Sequence, residues 1–142
     1  MYTGLPGVFE AYKIVCRYVP DKRVWCSLAA GGDGRVVYTV GEPAKAPAWL
    51  AVHGYHLTAF KTLKAAVRCW RGLELRMCYA VFACEVLYQE PLPPRMPPWG
   101  IATRGPQPVF DERYQGWPEG TVMAQRLTLL ERVPEEVLRE RA

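Results

Sequence analysis

The side chains that could do covalent chemistry are few, and no local motif selects any of them. Ser27 is the only serine, and it falls in a strand-like run rather than in the G-x-S-x-G turn of a serine hydrolase. Five cysteines and two histidines could supply a nucleophile and a base, but nothing in the sequence brings a pair together. Glu74 and Glu85 could form a buried acid pair beside an apolar run, although such charges more often pair with a neighbouring arginine. The sequence therefore predicts a protein that is not an enzyme.

The cysteine pattern argues against a metal site and against a disulfide framework. The cysteines are odd in number and include no C-x-x-C pair: Cys16, Cys26, Cys69, Cys78 and Cys84. A zinc site needs ligands at short, turn-like spacings, and only His53 and His56 could complete one. We expect five reduced thiols in small apolar environments, with no metal and no cofactor.

A glycine-rich stretch, Gly31 to Gly34, could cradle a phosphate group or form a turn. Phosphate-binding loops lead into the N-terminus of a helix. Here the β-branched run that follows, Arg35 to Val40, is typical of a strand. The pattern favours a hairpin turn.

These residues must be positioned by a helix and a strand that follow each other between Leu57 and Tyr88. Apolar residues recur at three- and four-residue steps and predict an amphipathic helix, Thr58–Arg71, with Thr58 as its N-cap. The next run, Met77–Cys84, is apolar at nearly every position. It predicts a strand in the centre of a sheet that continues to Tyr88.

The preceding residues predict an antiparallel meander of three strands. Alternating patterns cover Ala11–Val19, Val24–Leu28 and Arg35–Val40, with turn residues between them. In the first strand Lys13 and Arg17 share a mixed face, which we expect at a sheet edge or towards solvent. Trp49–His56 fits either a short strand or a loop packed on the body.

The amino-acid composition of the chain changes at Pro91. Seven of the 13 prolines lie between Pro91 and Pro108, so this stretch predicts an extended arm rather than a helix or an inner strand. Residues 121–133 could be a strand or the start of a helix, and we favour the strand. Residues 134–142 predict a short helix with acidic residues at its start and arginines at its end.

The predicted fold class is α+β: a small antiparallel sheet with one helix packed across it, followed by a proline-rich arm and a short C-terminal helix. The predicted units are a core domain (residues 1–90), the arm (residues 91–121) and a C-terminal strand/helix tail (residues 122–142).

Composition and charge restrict the classes of partner and location. The net charge of +4 combines a basic body of +6 over residues 1–110 with a tail of −2 over residues 111–142. This excess is too dispersed to predict a nucleic-acid footprint by itself. No apolar run approaches the length of a membrane span, and no secretory signal is recognisable, so we expect a cytoplasmic protein. The 13 arginines against 5 lysines and the absence of asparagine fit either a thermophilic source or a GC-rich genome.

The residues suited to recognition are aromatic rings outside the patterned core and basic residues on helix faces. Aromatic and arginine side chains dominate the energetics of protein interfaces. The candidate partner-binding residues are Lys64, Arg68, Arg71, Trp99, Trp117, Val137, Leu138, Arg139 and Arg141. The alternative is that the tail, including Trp117 and the last helix, is simply part of the fold.

The order of three motifs resembles small uncharacterised domains of bacteriophage genomes. The motifs are Ala11-Tyr-Lys-Ile-Val, Val37-Tyr-Thr-Val-Gly-Glu-Pro and Phe60-Lys-Thr-Leu-Lys-Ala-Ala, followed by Cys78–Val86. The resemblance covers residues 11–88 and implies a small α+β domain. In size, composition and charged tail the chain is also similar to a Thermus-phage protein that binds host RNA polymerase. That likeness implies contacts with the polymerase β flap and with the σ domain that reads the −35 element.

The sequence thus predicts a non-enzymatic protein-binding module, a phage-encoded regulator of host transcription. The alternative is a small nucleic-acid-binding protein that uses the basic helix face, and a third possibility is a small enzyme with an unrecognised site.

Overall fold

The computed structural model describes residues 8–17, 24–27, 30–32, 36–52, 54–73, 78–93, 101–103 and 117–140. Within these ranges the strands are β1 Val8–Arg17, β2 Val24–Ser27, β3 Ala30–Gly32, β4 Val37–Thr39, β5 Pro43–Ala44, β6 Leu57–Phe60, β7 Tyr79–Glu90, β8 Ile101–Thr103 and β9 Thr121–Arg132. The helices in the same ranges are α1 Ala48–Ala51, α2 Leu63–Arg71 and α3 Glu135–Glu140. The fold is mixed α+β with an antiparallel main sheet, as predicted.

The main sheet closes on itself. β7 pairs with β1 on one edge and with β9 on the other, so the predicted central strand is confirmed. β9 pairs in turn with β6, and β6 returns to β1 through the pair Tyr12 and Phe60. β2 and β4 extend the wall from β1, and β5 extends it from β9. The described strands of this sheet therefore surround an interior instead of forming an open layer.

An inner core fills this closed sheet. Its members face inward because alternate residues of a strand point to the same side. They are Ala11, Val15, Trp25, Val36, Tyr38, Leu57, Ala59, Ala80, Phe82, Cys84, Val86, Ala124, Leu127 and Leu129. The edge of the Trp25 ring meets Phe82 at a centroid distance of 5.2 Å, which is a favourable geometry for two aromatic rings.

An outer core joins α2 and α3 to the opposite face of β1 and β7. It contains Ile14, Ala66, Val67, Trp70, Val81, Val133 and Leu138. The three buried residues of α2 lie at three- and four-residue steps, as the amphipathic pattern predicted. α2 therefore packs across the outside of the sheet.

The start of α2 differs from the prediction. Leu57 and Ala59 point into the inner core and Thr58 belongs to β6, so Thr58 is not the N-cap. The cap is Thr62, whose backbone is extended and whose hydroxyl accepts a hydrogen bond from the Ala65 amide at 3.1 Å. Strand-period burial and pairing with β9 determine the conformation of residues 57–60, whereas the helical stripe begins only at Leu63.

The meander of β1, β2 and β4 is confirmed as two antiparallel pairs. The mixed face of β1 is the exception, because Lys13 points into the closed sheet rather than towards solvent. Residues 48–51 form the short helix α1, which neither alternative for Trp49–His56 included. Gly31 and Gly32 lie in β3, which pairs in parallel with β8; residues 33–35 are outside the described ranges.

The C-terminal region belongs to the same sheet as the body. The strand predicted for residues 121–133 is confirmed as β9, which pairs with β5, β6 and β7. The predicted C-terminal helix is α3, and Leu138 of α3 lies in the outer core. These placements favour the alternative that the tail is part of the fold. Most of the predicted proline-rich arm, residues 94–100 and 104–116, lies outside the described residues.

No helix in the described part of the chain is long and apolar enough to cross a membrane.

Candidate partner-binding surface

A basic face lies on the outward side of α2 and on the segment just before it, and we define it as Lys61, Lys64, Arg68 and Arg71. Lys61 precedes the helix, whereas Lys64, Arg68 and Arg71 occupy helix positions between the buried Ala66, Val67 and Trp70. Lys61, Lys64 and Arg68 are exposed, and Arg71 is half-buried. Arg68 and Arg71 also lie in the last turn, where positive charge favours the negative end of the helix dipole.

Arg68 is paired rather than isolated. Its guanidinium donates to Glu119 at 2.7 Å, and both side chains remain largely exposed, at 62% and 81%. Exposed ion pairs contribute about 0–1 kcal/mol to stability. A partner carboxylate can therefore replace Glu119 at small cost.

Arg71 and Arg139 connect the two helices. The Arg71 guanidinium donates to the backbone carbonyl of Arg139 at 2.7 Å, and the Arg139 guanidinium pairs with Glu135 at 2.9 Å. Arg71 satisfies one of the free carbonyls at the end of α3, which helps to hold this short helix on α2. The structure thus brings Arg68, Arg71 and Arg139 onto one side of the molecule.

Leu138 is placed differently from the prediction. Its side chain is only 3% exposed and lies in the outer core, and Val137 packs half-buried against the same cluster. A leucine in this position stabilises the fold and is not available to a partner. The correction has a simple physical reason: α3 has few apolar residues, and the body itself covers them.

The predicted aromatic anchors are only partly within the described residues. The Trp117 indole donates to the backbone carbonyl of Pro93 at 2.6 Å, and its ring is half-buried. This bond ties the residues before β9 to those after β7. Trp99 and Arg141 lie outside the described residues.

A charged side chain lies inside the closed sheet, where the sequence did not predict one. Lys13 is 6% exposed, and its Nζ donates to the Thr58 carbonyl at 2.6 Å and to the Thr58 hydroxyl at 3.3 Å. The same nitrogen lies 5.7 Å from the centroid of the Tyr38 ring. Burial lowers the pKa of Lys13 from 10.5 to about 8.

Two further titratable side chains lie near this lysine. Burial raises the pKa of the Cys84 thiol to about 12, and the nearby Lys13 charge opposes part of that rise. Burial also raises the pKa of Tyr38, whose hydroxyl oxygen is buried and has no hydrogen-bond partner among the described residues. Both groups therefore stay neutral at physiological pH. Alternation along β1 groups Lys13 with the inner-core residues Ala11 and Val15, but it does not show which side of the strand the sheet encloses.

Comparison with family models, with curated proteins and with solved structures gives no match to this chain.

Proposed function

We propose that this chain is a non-enzymatic protein-binding module, a phage-encoded regulator that binds host RNA polymerase and modulates transcription. The observation that carries the proposal is the exposed basic face of α2. The helix uses its other side for the outer core, so Lys64 and Arg68 are positioned on a rigid element and remain exposed. Rigid presentation lowers the entropy lost when side chains bind a partner.

The contacts of α3 support the same surface. Arg139 lies beside Arg71, and both guanidiniums bond to groups at the surface of the described body. Arginine pairs with carboxylates through two parallel hydrogen bonds, so such residues suit an acidic protein surface. The resemblance of residues 11–88 to bacteriophage domains supports the phage origin. The likeness to a polymerase-binding Thermus-phage protein supports the β flap and the σ domain as the contact region.

The test is direct binding of the purified chain to Thermus RNA polymerase core, to the isolated β flap and to the isolated σ domain. We expect the charge reversals Lys64→Glu and Arg68→Glu to weaken binding by about tenfold or more, because close charge pairs across interfaces couple strongly. Lys45→Glu is the matched control, since Lys45 is also exposed but lies beside β5.

Two outcomes would overturn the assignment. If the unmodified chain does not bind any of the three polymerase components, the polymerase is not the partner. If it instead binds plain DNA with a steep dependence on salt, and the α2 reversals abolish that binding, the alternative of a nucleic-acid-binding protein is correct.

A further inference from the structure

A turn from a distant part of the chain lies against the start of α2. Residues 118–121 form a β-turn in which the Thr121 amide donates to the Pro118 carbonyl at 3.1 Å. Gly120 is the third residue of the turn and has φ +82°, as a type II turn requires at this position. Glu119 is the second residue, and its side chain is exposed. The turn therefore presents one carboxylate beside the basic face.

Two contacts hold this turn on α2. The Lys61 amide donates to the Gly120 carbonyl at 2.8 Å. A Cβ built on Gly120 would lie 2.6 Å from the Ala65 Cβ, so the turn approaches the helix too closely for a side chain at this position. Ala65 lies three residues before Arg68 and is its neighbour on the helix surface. The backbone of Glu119 is therefore fixed close to Arg68.

Arg68 is the middle member of a row of cations. Lys64, Arg68 and Arg71 lie four and three residues apart, so they follow one side of α2. The row is about 10 Å long between its first and last Cα atoms, at about 1.5 Å per residue. The Glu119 carboxylate lies 2.7 Å from the Arg68 guanidinium. A fixed negative charge thus interrupts the row at its centre.

The fixed carboxylate affects one class of ligand more than another. Breaking the exposed pair costs the fold little, but an anion that reaches Arg68 still lies beside the Glu119 charge. A ligand with a negative charge at every unit, such as a nucleic-acid strand or polyglutamate, meets that charge wherever it covers the row. A protein surface can place single carboxylates at Lys64 and Arg71 and a neutral or basic group opposite Glu119.

We propose that Glu119 is a specificity-determining residue of the basic face, which disfavours uniform polyanions and favours protein surfaces of mixed charge. This proposal rests on the proposed function in taking the basic face as the binding surface. It deepens that function by naming the residue that discriminates between the two kinds of ligand. The mechanism is repulsion of the wrong ligand, which contributes to specificity as much as attraction of the right one.

The experiment measures binding of two uniform polyanions to the full chain by fluorescence anisotropy, at about 0.1 M salt. The probes are a fluorescein-labelled hexaglutamate peptide and a labelled thymidine hexanucleotide. We expect Glu119→Gln to tighten binding of both probes about three- to fivefold, the factor expected for one unit-charge interaction at about 4 Å in water. Glu42→Gln is the matched control, because Glu42 is exposed beside β5 and its loss changes the net charge equally. The control should change both affinities by less than about twofold, since salt screens distant charges.

The Arg68→Gln background separates a local effect from a global one. In that background Glu119→Gln should change both affinities by less than about twofold, because the guanidinium beside Glu119 is absent. Glu119→Asp keeps the charge and should produce no gain. If Glu119→Gln lowers the thermal midpoint, the aspartate variant decides, since an equal gain there would exclude a role for the charge.

The other outcomes overturn the proposal. Equal gains in the Glu42→Gln and Glu119→Gln proteins, or an undiminished gain in the Arg68→Gln background, would show that the probes respond only to net charge. No gain with either probe would show that Glu119 does not oppose polyanions. A gain with only one probe would show that its cause is not the charge that the two probes share.

This outcome is separable from that of the proposed function. If the gain is found in a chain that does not bind polymerase, the selectivity is retained and the polymerase assignment is removed. If a polymerase component binds through α2 and neither polyanion shows the gain, the assignment is retained and this proposal is removed. If Glu119→Gln tightens binding of that component as much as binding of the polyanions, the partner is not selected by mixed charge, and this proposal is wrong.

Discussion

The ammonium group of Lys13 donates to the backbone carbonyl of Thr58 at 2.6 Å inside the closed sheet. Two strands that share only one register pair, β1 and β6, are thereby joined by a buried side chain. A lysine in this position is held by hydrogen bonds, but the loss of water around its charge costs free energy. Its protonation therefore affects the stability of the whole sheet.

The first prediction concerns the pH dependence of stability. The folded pKa of Lys13, about 8, lies below its ordinary value of 10.5, so the unfolded chain binds more protons between these values. The free energy of unfolding is highest above pH 10.5, where Lys13 is neutral in both states. It decreases as the pH falls from 10.5 to about 8, because the unfolded chain takes up the proton first. Between pH 7 and pH 9 the Lys13 contribution should rise by about 1 kcal/mol.

The measurement compares urea unfolding of the native chain and of Lys13→Met from pH 7 to pH 9. The difference between the two proteins reports on Lys13, because Cys84 is present in both. Cys84 contributes in the opposite sense: its raised pKa, about 12, makes its stabilisation decline as the pH rises above 9.0. A difference that stays constant over this range would show that Lys13 titrates normally and is hydrated.

The second prediction concerns the buried hydroxyl of Tyr38. A buried oxygen without a hydrogen-bond partner costs about 1–3 kcal/mol, whereas the ring itself packs in the inner core. We expect Tyr38→Phe to raise the free energy of unfolding by about 1 kcal/mol. Thermal unfolding measures it, and a lower midpoint for the phenylalanine variant would mean that the hydroxyl is satisfied in solution.

The third prediction compares two glycines with similar backbone angles. Gly120 has φ +82°, and a Cβ built there would lie 2.6 Å from the Ala65 Cβ. Gly41 has φ +86°, but among the described residues no atom lies within 4 Å of the same position. Gly41→Ala should cost about 1–2 kcal/mol for the left-handed backbone alone, and Gly120→Ala should cost about 1–3 kcal/mol more because of the overlap.

Denaturant unfolding of the two alanine variants gives the difference directly. Since the carbonyl of Gly120 also accepts the Lys61 amide at 2.8 Å, displacement of this turn would disturb the start of α2. Equal losses at the two glycines would contradict the close approach of the Gly120 turn to α2.

The fourth prediction concerns Trp70, the largest side chain in the outer core. It is 5% exposed between α2 and the sheet, and Trp70→Ala should cost about 3–5 kcal/mol. Trp117→Ala is a useful comparison because Trp117 is only half-buried. A loss below about 1 kcal/mol for Trp70→Ala would show that the helix is phased incorrectly.

The fifth prediction concerns α3. Leu138 is buried, so Leu138→Ala should lower the free energy of unfolding by about 2–4 kcal/mol. Arg139→Ala removes an exposed ion pair in the same helix and should change it by less than about 1 kcal/mol. If instead Leu138→Ala leaves stability unchanged and weakens partner binding, α3 is a recognition element that undocks from the body.

Local periodicity predicted much of the fold. The buried stripe of α2 was phased correctly because its apolar residues repeat with the helical period. Its start was misplaced because Leu57 and Ala59 also fit the strand period, and pairing with β9 far along the chain decides between them. Closure of the sheet could not be predicted, since the single pair of Tyr12 and Phe60 leaves no local signal.

The candidate surface was predicted where helix phase alone determines exposure. Lys64 and Arg68 are exposed because they lie opposite the buried stripe. The sequence places Leu138 at a partner surface, because the few apolar residues of a short helix can pack either on another molecule or on the rest of the same chain. The sequence places Lys13 at a sheet edge or towards solvent, because an alternating strand does not reveal which of its faces a closed sheet encloses.

The late position of β9 in the chain has a consequence for biosynthesis. β9 pairs with β5, β6 and β7, so the sheet cannot close until Arg132 has left the ribosome. Such non-local pairing is slow, since long loops must close before contacts repay their entropy. During translation one edge of β7 is exposed and can pair with other nascent chains. Messages truncated before Thr121 should therefore yield aggregated protein, whereas chains that include Arg132 can close the sheet.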